Sequence, residues 1–523
     1  MKKILGIELG STRIKAVLCD ENGKVVASGI YEWENILVDG LWSYPIDQAF
    51  EGLAESYAAL AADYRSKFGE DLTELDAVGI SAMMHGYLAF DKDENLLAPF
   101  RTWRNTNTAD ASATLSEMLN FHIPMRWSVS QYYKSVTDKL AHVKDIAHLY
   151  TLSGYVHYKL SGERVLGVND ASGMFPIKNG EYDKDKLKIF NAHLASLGIK
   201  TKFETLLPRV LLAGDCAGHL TEEGARLLDK SGKLRAGALM CPPEGDMGTG
   251  MIATSSVMPK TANVSSGTSV NLCVVLERPL KKYYPEVDIV ETPDGHDVAM
   301  LHANNCTNEI NEWVSLFDEV VSLFDEVLSL FGTDVPRGEL FTKLFKKSLE
   351  SDDRVGDVVG YNFLAGEPVA GTEDGMLMTL RTPEGKLTLA NFMQMQIYSA
   401  IAALSLGMDI LDGENIKIAS VMAHGGFYKT DFVGQNATSA LLGAPVTVMK
   451  TAGEGGAWGV ALLALFALEK GRDLPAFLNK IFADTEKTTV AATDAEKAKF
   501  ARYMALYKAG LKAEKTASED VHA

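Results

Sequence analysis

Gly6-Ile7-Glu8-Leu9-Gly10-Ser11-Thr12-Arg13-Ile14-Lys15 is the stretch on which the fold turns. Residues 4–9 are apolar and rich in β-branched side chains apart from Glu8, 10–13 make a glycine–hydroxyl turn, and 14–20 are a second strand-like run. That is the pattern of two strands joined by a tight turn. Glu21-Asn22-Gly23-Lys24 carries a hairpin signature, and a third strand is expected over 25–31. The plan returns in the second half, where Ala262-Asn263-Val264-Ser265-Ser266-Gly267-Thr268-Ser269 leads into an apolar run over 270–276. Two such turns, each opening one half of the chain, point to a duplicated domain with a ligand between the halves.

Outward from these turns the punctuation is that of an α/β protein. Phe50, Leu53, Tyr57, Leu60 and Tyr64 recur three or four residues apart, which predicts an amphipathic helix over 46–64. A buried strand is expected over 77–80, ending in Ser81-Ala82-Met83-Met84-His85-Gly86. In the second half, a helix over 392–411, a strand over 416–422, the turn His424-Gly425-Gly426, a helix over 431–442 and a strand over 445–449 follow in order. Gly453-Glu454-Gly455-Gly456 then opens an apolar helix from Ala457. Strands alternating with helices and glycine turns indicate α/β architecture. The tail after residue 484 is Ala/Lys/Glu-rich and is expected to form one surface helix with a frayed end. Val314-Ser315-Leu316-Phe317-Asp318-Glu319-Val320 is repeated over 321–327 and, degraded, over 328–331. That pattern predicts a lengthened amphipathic helix, with a heptad seam for a homodimer as the sharper reading.

Composition bounds the function. With 523 residues the chain suits two or three domains. Lysine and arginine total 51 against 69 acidic residues, a net charge of −18. Such a polyanion is repelled by nucleic acid and by anionic membranes, so neither is expected as the main partner. The five cysteines are scattered and odd in number, unlike a disulfide framework or a zinc ribbon. The first residues lack the apolar core of a signal peptide, and the longest apolar run, 457–468, is too short to span a bilayer. A cytoplasmic protein is expected.

A few residues can carry chemistry. Gly10, Ser11 and Thr12 in the first turn, and Gly267, Thr268 and Ser269 in the second, can aim backbone N–H groups and hydroxyls at a phosphate. Arg13 and Lys15 add positive charge near the first. Ordinary turn chemistry is the alternative for either alone. Glu8 can hold a hydrated Mg²⁺ beside nucleotide phosphates, or can simply face solvent. Asp246, within Pro242-Pro243-Glu244-Gly245-Asp246-Met247-Gly248, can accept a proton from an attacking hydroxyl, or can cap a helix. Met84 and His85 stand at a strand end, where α/β folds build ligand sites. Trp103, with Asn105 and Asn107, offers an apolar plate beside amides, the mixture a sugar site uses.

Taken in order along the chain, these pieces resemble carbohydrate kinases of the FGGY family, in the superfamily that includes actin, hexokinase and the heat-shock chaperone ATPases. Gly6 to Lys15 looks like the family's first phosphate motif, Asn263 to Ser269 like the second, and Gly425-Gly426-Phe427-Tyr428-Lys429-Thr430 through Gln435 like its adenosine motif. Gly245-Asp246 stands in the place of the catalytic aspartate, and Met84-His85-Gly86 resembles the sugar-binding segment of xylulokinases. Asn169-Asp170-Ala171-Ser172-Gly173 also fits. The resemblance implies two RNase H-like domains with an ATP and sugar cleft between them. It implies a sugar-binding domain over 1–255, an ATP-binding domain over 256–485 and a C-terminal helix and tail over 486–523. ATP and Mg²⁺ would be the cofactors, with Gly425, Gly426 and Lys429 beside the nucleotide and Met84, His85, Trp103, Asn105 and Asp246 at the sugar. The implied reaction is phosphorylation of a ketopentose at its terminal hydroxyl, most simply D-xylulose to D-xylulose 5-phosphate. Other ketoses or polyols such as ribulose or fuculose, and a non-catalytic actin-like nucleotide-binding protein, are the alternatives. The chain departs from the family at Glu8, where aspartate is usual, at Met247, where xylulokinases carry asparagine, and at Asn105 and Asn107 in a Trp-x-Asp-x-Arg pattern.

Overall fold

The computed structural model describes residues 1–330, 337–450, 455–469 and 473–522. Gly453 and Glu454 of the late glycine motif, and Phe331 of the third heptad copy, therefore lie outside the described residues. Two compact units emerge, and neither is continuous in sequence. The first comprises Met1–Pro259, Val275–Ala299 and Glu454–Thr485, and the second Lys260–Val274, Met300–Gly453 and Glu486–Ala523. These units interleave along the chain, whereas the sequence reading divides it contiguously at residues 255 and 485. Two stretches far down the chain pack into the first unit, and the residues after 485 belong to the second.

The first unit is built on a mixed sheet. Its strands are β1 (Ile4–Leu9), β2 (Arg13–Cys19), β3 (Val25–Glu32), β4 (Ala77–Ala82), β5 (Leu239–Met240) and β6 (Glu244–Gly245). Their order is β5–β4–β1–β2–β3, with β6 also on β4. β1 runs antiparallel to β2 and parallel to β4, while β2 and β3 are antiparallel. The helix Ile46–Phe68 buries Leu53, Tyr57, Leu60 and Tyr64 and ends on Gly69 in the left-handed conformation (φ 75°). Burying each of these large side chains contributes about 1.5–3 kcal/mol. On the sheet the apolar helix Gly455–Ala467 packs so closely that a Cβ on Gly6 would sit 2.1 Å from the carbonyl oxygen of Ala457.

In the second unit the strands are β7 (Thr261–Ser266), β8 (Val270–Val275), β9 (Asp297–Ala303), β10 (Ser420–His424), β11 (Val446–Met449) and β12 (Lys487–Val490). They lie in the order β9–β8–β7–β10–β11–β12. β7 is antiparallel to β8 and parallel to β10, and β10 is parallel to β11. Hairpin, turn and crossover therefore repeat the plan of the first sheet, which is the structural form of the echo seen in sequence. β12 extends the second sheet antiparallel to β11.

The tail differs from expectation. The helix Asp494–His522 runs to the end of the description and buries Phe500, Tyr503 and Tyr507, with the Tyr361 hydroxyl donating to the carbonyl of Tyr507 at 2.6 Å. It is a packed element, because aromatics at three- and four-residue spacing lie among the Ala and Lys. The repeated heptads lie on the helix Asn308–Leu330, where Trp313 and Phe317 meet Phe392 while Leu316, Val320, Leu323 and Phe324 are exposed. No described helix is long and apolar enough to cross a membrane.

Candidate active site

Strand register assembles the chemistry of the first unit. Parallel pairing puts Glu8 of β1 opposite Ser81 of β4, and Ser81 opposite Glu244 of β6. Beyond those strand ends the chain runs into Met83-Met84-His85 on one side and Asp246 on the other. This is the carboxyl edge of parallel strands, where α/β folds expose functional side chains.

Asp246 is the first residue of the helix Asp246–Ala253. One of its oxygens, Oδ1, accepts from the backbone N–H of Met84 at 3.2 Å and of Met247 at 2.9 Å. The residue is exposed, and no described group bonds to Oδ2. Surrounding protein mass raises its pKa despite those two N–H donors. A carboxylate fixed through one oxygen and open at the other is suited to take a proton from a hydroxyl.

The helix that carries Asp246 is itself anchored. Asn169 accepts from the N–H of Gly248 at 3.1 Å and donates to the carbonyl of Glu291 at 2.7 Å. Thr249 meets the Ser81 hydroxyl at 2.9 Å, locking helix to strand. Below lie two buried carboxyls. Glu244 accepts from the N–H of Asp170 at 3.1 Å, and burial raises its pKa well above the usual range. Asp170 accepts from Thr151 at 2.7 Å and from Ser153, and burial lifts it to about 7. Asp170 was visible in sequence only as part of a motif, and Glu244 only as a neighbour of Asp246. The raised pKa of each depends on burial that no local pattern announces.

Glu8 reaches the start of the helix Gly455–Ala467, where Oε2 accepts from the N–H of Ala457 at 3.2 Å. Burial, and then the charge of Asp246, lift its pKa to about 7, against the pull of that N–H, Lys15 and Arg13. Negative charge close to negative charge is a place a divalent cation would relieve. Glu8 and Asp246 are the two carboxylates here that could hold a divalent cation; no group of three or more ligating side chains exists among the described residues.

His85 is buried and adopts a left-handed backbone (φ 69°) that non-glycine residues rarely take. Its ring stacks on Trp127 (centroids 6.4 Å apart, planes at 23°), and its Nδ1 has no hydrogen-bond partner. Burial first, and Arg126 second, depress its pKa to about 3, so the imidazole is neutral at physiological pH. Met84, beside it, is also buried. Trp103 is exposed. Asn105 is committed elsewhere: its amide donates to the carbonyls of Trp42 (2.9 Å) and Thr102 (3.2 Å) and accepts from the N–H of Trp42 at 2.8 Å. Asn107 accepts from Gln131 at 3.1 Å. The Asn105 amide thus ties Trp42 to Thr102, while Asn107 is exposed and accepts through its side-chain oxygen.

The first turn is braced through its carbonyls. Trp33 Nε1 donates to Gly10 O and the Tyr44 hydroxyl to Ser11 O, both at 2.7 Å, and the N–H of Trp33 donates to Thr12 O at 3.1 Å. Ser11, Thr12 and Arg13 are exposed, and Lys15 is half-buried on β2. In the second unit the N–H of Gly267 closes onto Ser269 O at 2.9 Å, and Cys306 N–H onto Thr268 O at 2.9 Å. Gly267 and Thr268 are exposed and Ser269 half-buried. Gly425, Gly426 and Lys429 are exposed beside this turn, and Gly425 (φ 106°) passes so near Ser266 that a Cβ would lie 2.1 Å from its carbonyl oxygen.

Similarity agrees with this geometry. Residues 3–230 match the description "FGGY family of carbohydrate kinases, N-terminal domain", and residues 262–468 match its C-terminal domain. The xylulose kinase of Haemophilus influenzae is 22% identical over 491 residues, covering 89% of this chain and 91% of that protein. The ligand-bound xylulose kinase from Lactobacillus acidophilus superposes with a TM-score of 0.77 at 18% identity, over the whole of both chains. The gluconate kinase from the same organism gives 0.76 at 19% identity, covering 99% of each chain. At such identities the structural likeness speaks for the fold, a mixed α/β architecture of two domains.

Proposed function

The chain belongs to the FGGY family of carbohydrate kinases, and from that premise we propose that it phosphorylates the terminal hydroxyl of a ketopentose, D-xylulose or a close relative. As a family of sugar kinases, the FGGY proteins transfer a phosphoryl group from ATP to a small sugar. The observation that carries the finer reading is the carboxylate of Asp246, held at Oδ1 by the N–H groups of Met84 and Met247 with Oδ2 left open.

In the proposed reaction the substrate hydroxyl gives its proton to Oδ2 of Asp246 while its oxygen bonds to the γ-phosphorus and the bond to ADP breaks. The turns Gly10–Arg13 and Gly267–Ser269 each offer exposed N–H and hydroxyl groups to phosphate oxygens. Mg²⁺ held at Glu8 and Asp246 would neutralise phosphate charge. The neutral imidazole of His85, buried against Gly173, would support the sugar segment without bringing positive charge to it. None of the five cysteines is joined in a disulfide.

An ADP-release assay over a panel of ketoses and polyols, with Asp246→Asn as control, tests this. A ketopentose should give the highest kcat/KM, and the variant should lose it. Best turnover with ribulose, fuculose or another polyol would move the substrate within the class. Sugar-independent ATP hydrolysis of equal size in both proteins would sink the kinase reading and favour an actin-like nucleotide switch.

A further inference from the structure

On the sugar-kinase reading, on which this inference rests, a ketose and an aldonic acid differ at the site by one negative charge. Arg126 forms an ion pair with Asp288, whose other oxygen lies 3.2 Å from Nε2 of His122. The three side chains are 27%, 11% and 16% exposed, so the cluster is sheltered but its guanidinium still reaches the surface. Burial alone would raise the Asp288 carboxyl, yet Arg126 and His122 hold it well below the usual carboxylate range, so it is charged at every physiological pH.

The cluster sits against the sugar segment. Arg126 precedes Trp127, which stacks on the His85 ring, and Ser128 donates to the carbonyl of Gly86 at 2.6 Å. Arg126 and Asp288 are the charged side chains whose fields act on the His85 imidazole. An aldonate bound here needs a cation for its carboxylate, best a bidentate guanidinium. Arg126 is the cation that acts on His85, and Asp288 already occupies it.

We propose that Asp288 is a specificity-determining residue: by neutralising Arg126 beside His85 it selects a neutral polyhydroxy substrate against an aldonic acid. Without Asp288 the guanidinium would be free to pair with an incoming carboxylate, whereas the intact pair offers only hydrogen bonds to hydroxyls. Rejection then comes from a charge balanced before the substrate arrives.

Asp288→Asn and Arg126→Gln test it, with D-gluconate and D-xylulose as probes. Gluconate affinity is read by calorimetry, turnover by ADP release and folding by thermal denaturation. Asp288→Asn should tighten gluconate binding about tenfold or more, the scale of one charge-assisted contact, and shift the kcat/KM ratio the same way. Arg126→Gln should leave gluconate binding as weak as in the wild type or weaker. A folded Asp288→Asn protein with unchanged gluconate affinity overturns the proposal. If Asp288→Asn does not fold, Arg126→Gln decides, and stronger gluconate binding in that variant overturns it equally. A wild type that turns over no sugar sinks the kinase reading, while the calorimetric comparison still judges Asp288.

Discussion

The hairpin turns after Leu9 and after Ser266 share a backbone plan and differ in chemistry. Both follow the first strand of a sheet, both close with a glycine N–H bonded to a carbonyl two or three residues on, and both lie beside a parallel third strand. In the first unit the residue two before the glycine is Glu8, facing Lys15 across the hairpin and Ser81 on the parallel strand. In the second it is Ser265, facing Asn271 and His424. One copy of the scaffold carries ionisable groups with raised pKa values, and the other carries amides and hydroxyls. On the proposed reading both copies serve as anion cradles, and only the first lies beside the acid–base carboxylates.

The sharpest way to break that contrast is Asp246→Asn. Loss of the proton acceptor should lower kcat by about 10³-fold or more, with sugar binding by calorimetry within a few-fold and no fall in melting temperature. Substitutions at the second turn should not approach this effect. A kcat within tenfold of wild type would mean that the ionisable half has no privileged part.

Next in size, the two turn regions should differ in backbone tolerance. Gly425→Ala forces a Cβ against Ser266 in a left-handed conformation and should cost about 2–4 kcal/mol by denaturant unfolding. Gly10→Ala, whose Cβ would lie 3.2 Å from Arg13 O without positive φ, should cost under about 1 kcal/mol. Equal costs would erase the distinction.

Glu8 gives a pH signature to the first unit. Its folded pKa, about 7, lies above its ordinary 4.5, so between those values the folded chain holds a proton that the unfolded chain has lost. Stability from this group is therefore full below about pH 4.5 and declines as pH rises through 7. Asp170, also raised to about 7, acts in the same sense. The melting temperature of the ligand-free protein should fall between pH 5 and 7.5, and Glu8→Gln should flatten that fall. An unchanged slope in the variant would remove Glu8 from the account.

The smallest effects should be shared. Thr12→Ala and Thr268→Ala each remove one hydroxyl, worth about 1 kcal/mol as a hydrogen bond, and should raise the KM for ATP about fivefold. A response from one turn alone would show that the second cradle has lost its nucleotide.

What was legible in sequence was local. Gly10-Ser11-Thr12 and Gly267-Thr268-Ser269 announce themselves because strand, glycine and hydroxyl are adjacent, and Asp246 stands between glycines at a helix start. Asn105 marks the limit, since in sequence an amide beside Trp103 looks the same whether it faces a ligand or ties Trp42 to Thr102. Arg126 and Asp288 are 162 residues apart, so no spacing could join them. The interleaving of the two units was illegible for the same reason: the helix Gly455–Ala467 belongs to the first sheet through contacts such as Ala457 with Gly6, and composition carries no trace of such a return.

That return sets a schedule for biosynthesis. β1 is made long before the helix that covers it, with most of the second unit synthesised in between. The opening sheet must wait uncapped while its neighbour is translated. Nascent chains halted before residue 455 should therefore be cut by protease within β1 to β4, and chains released at full length should resist.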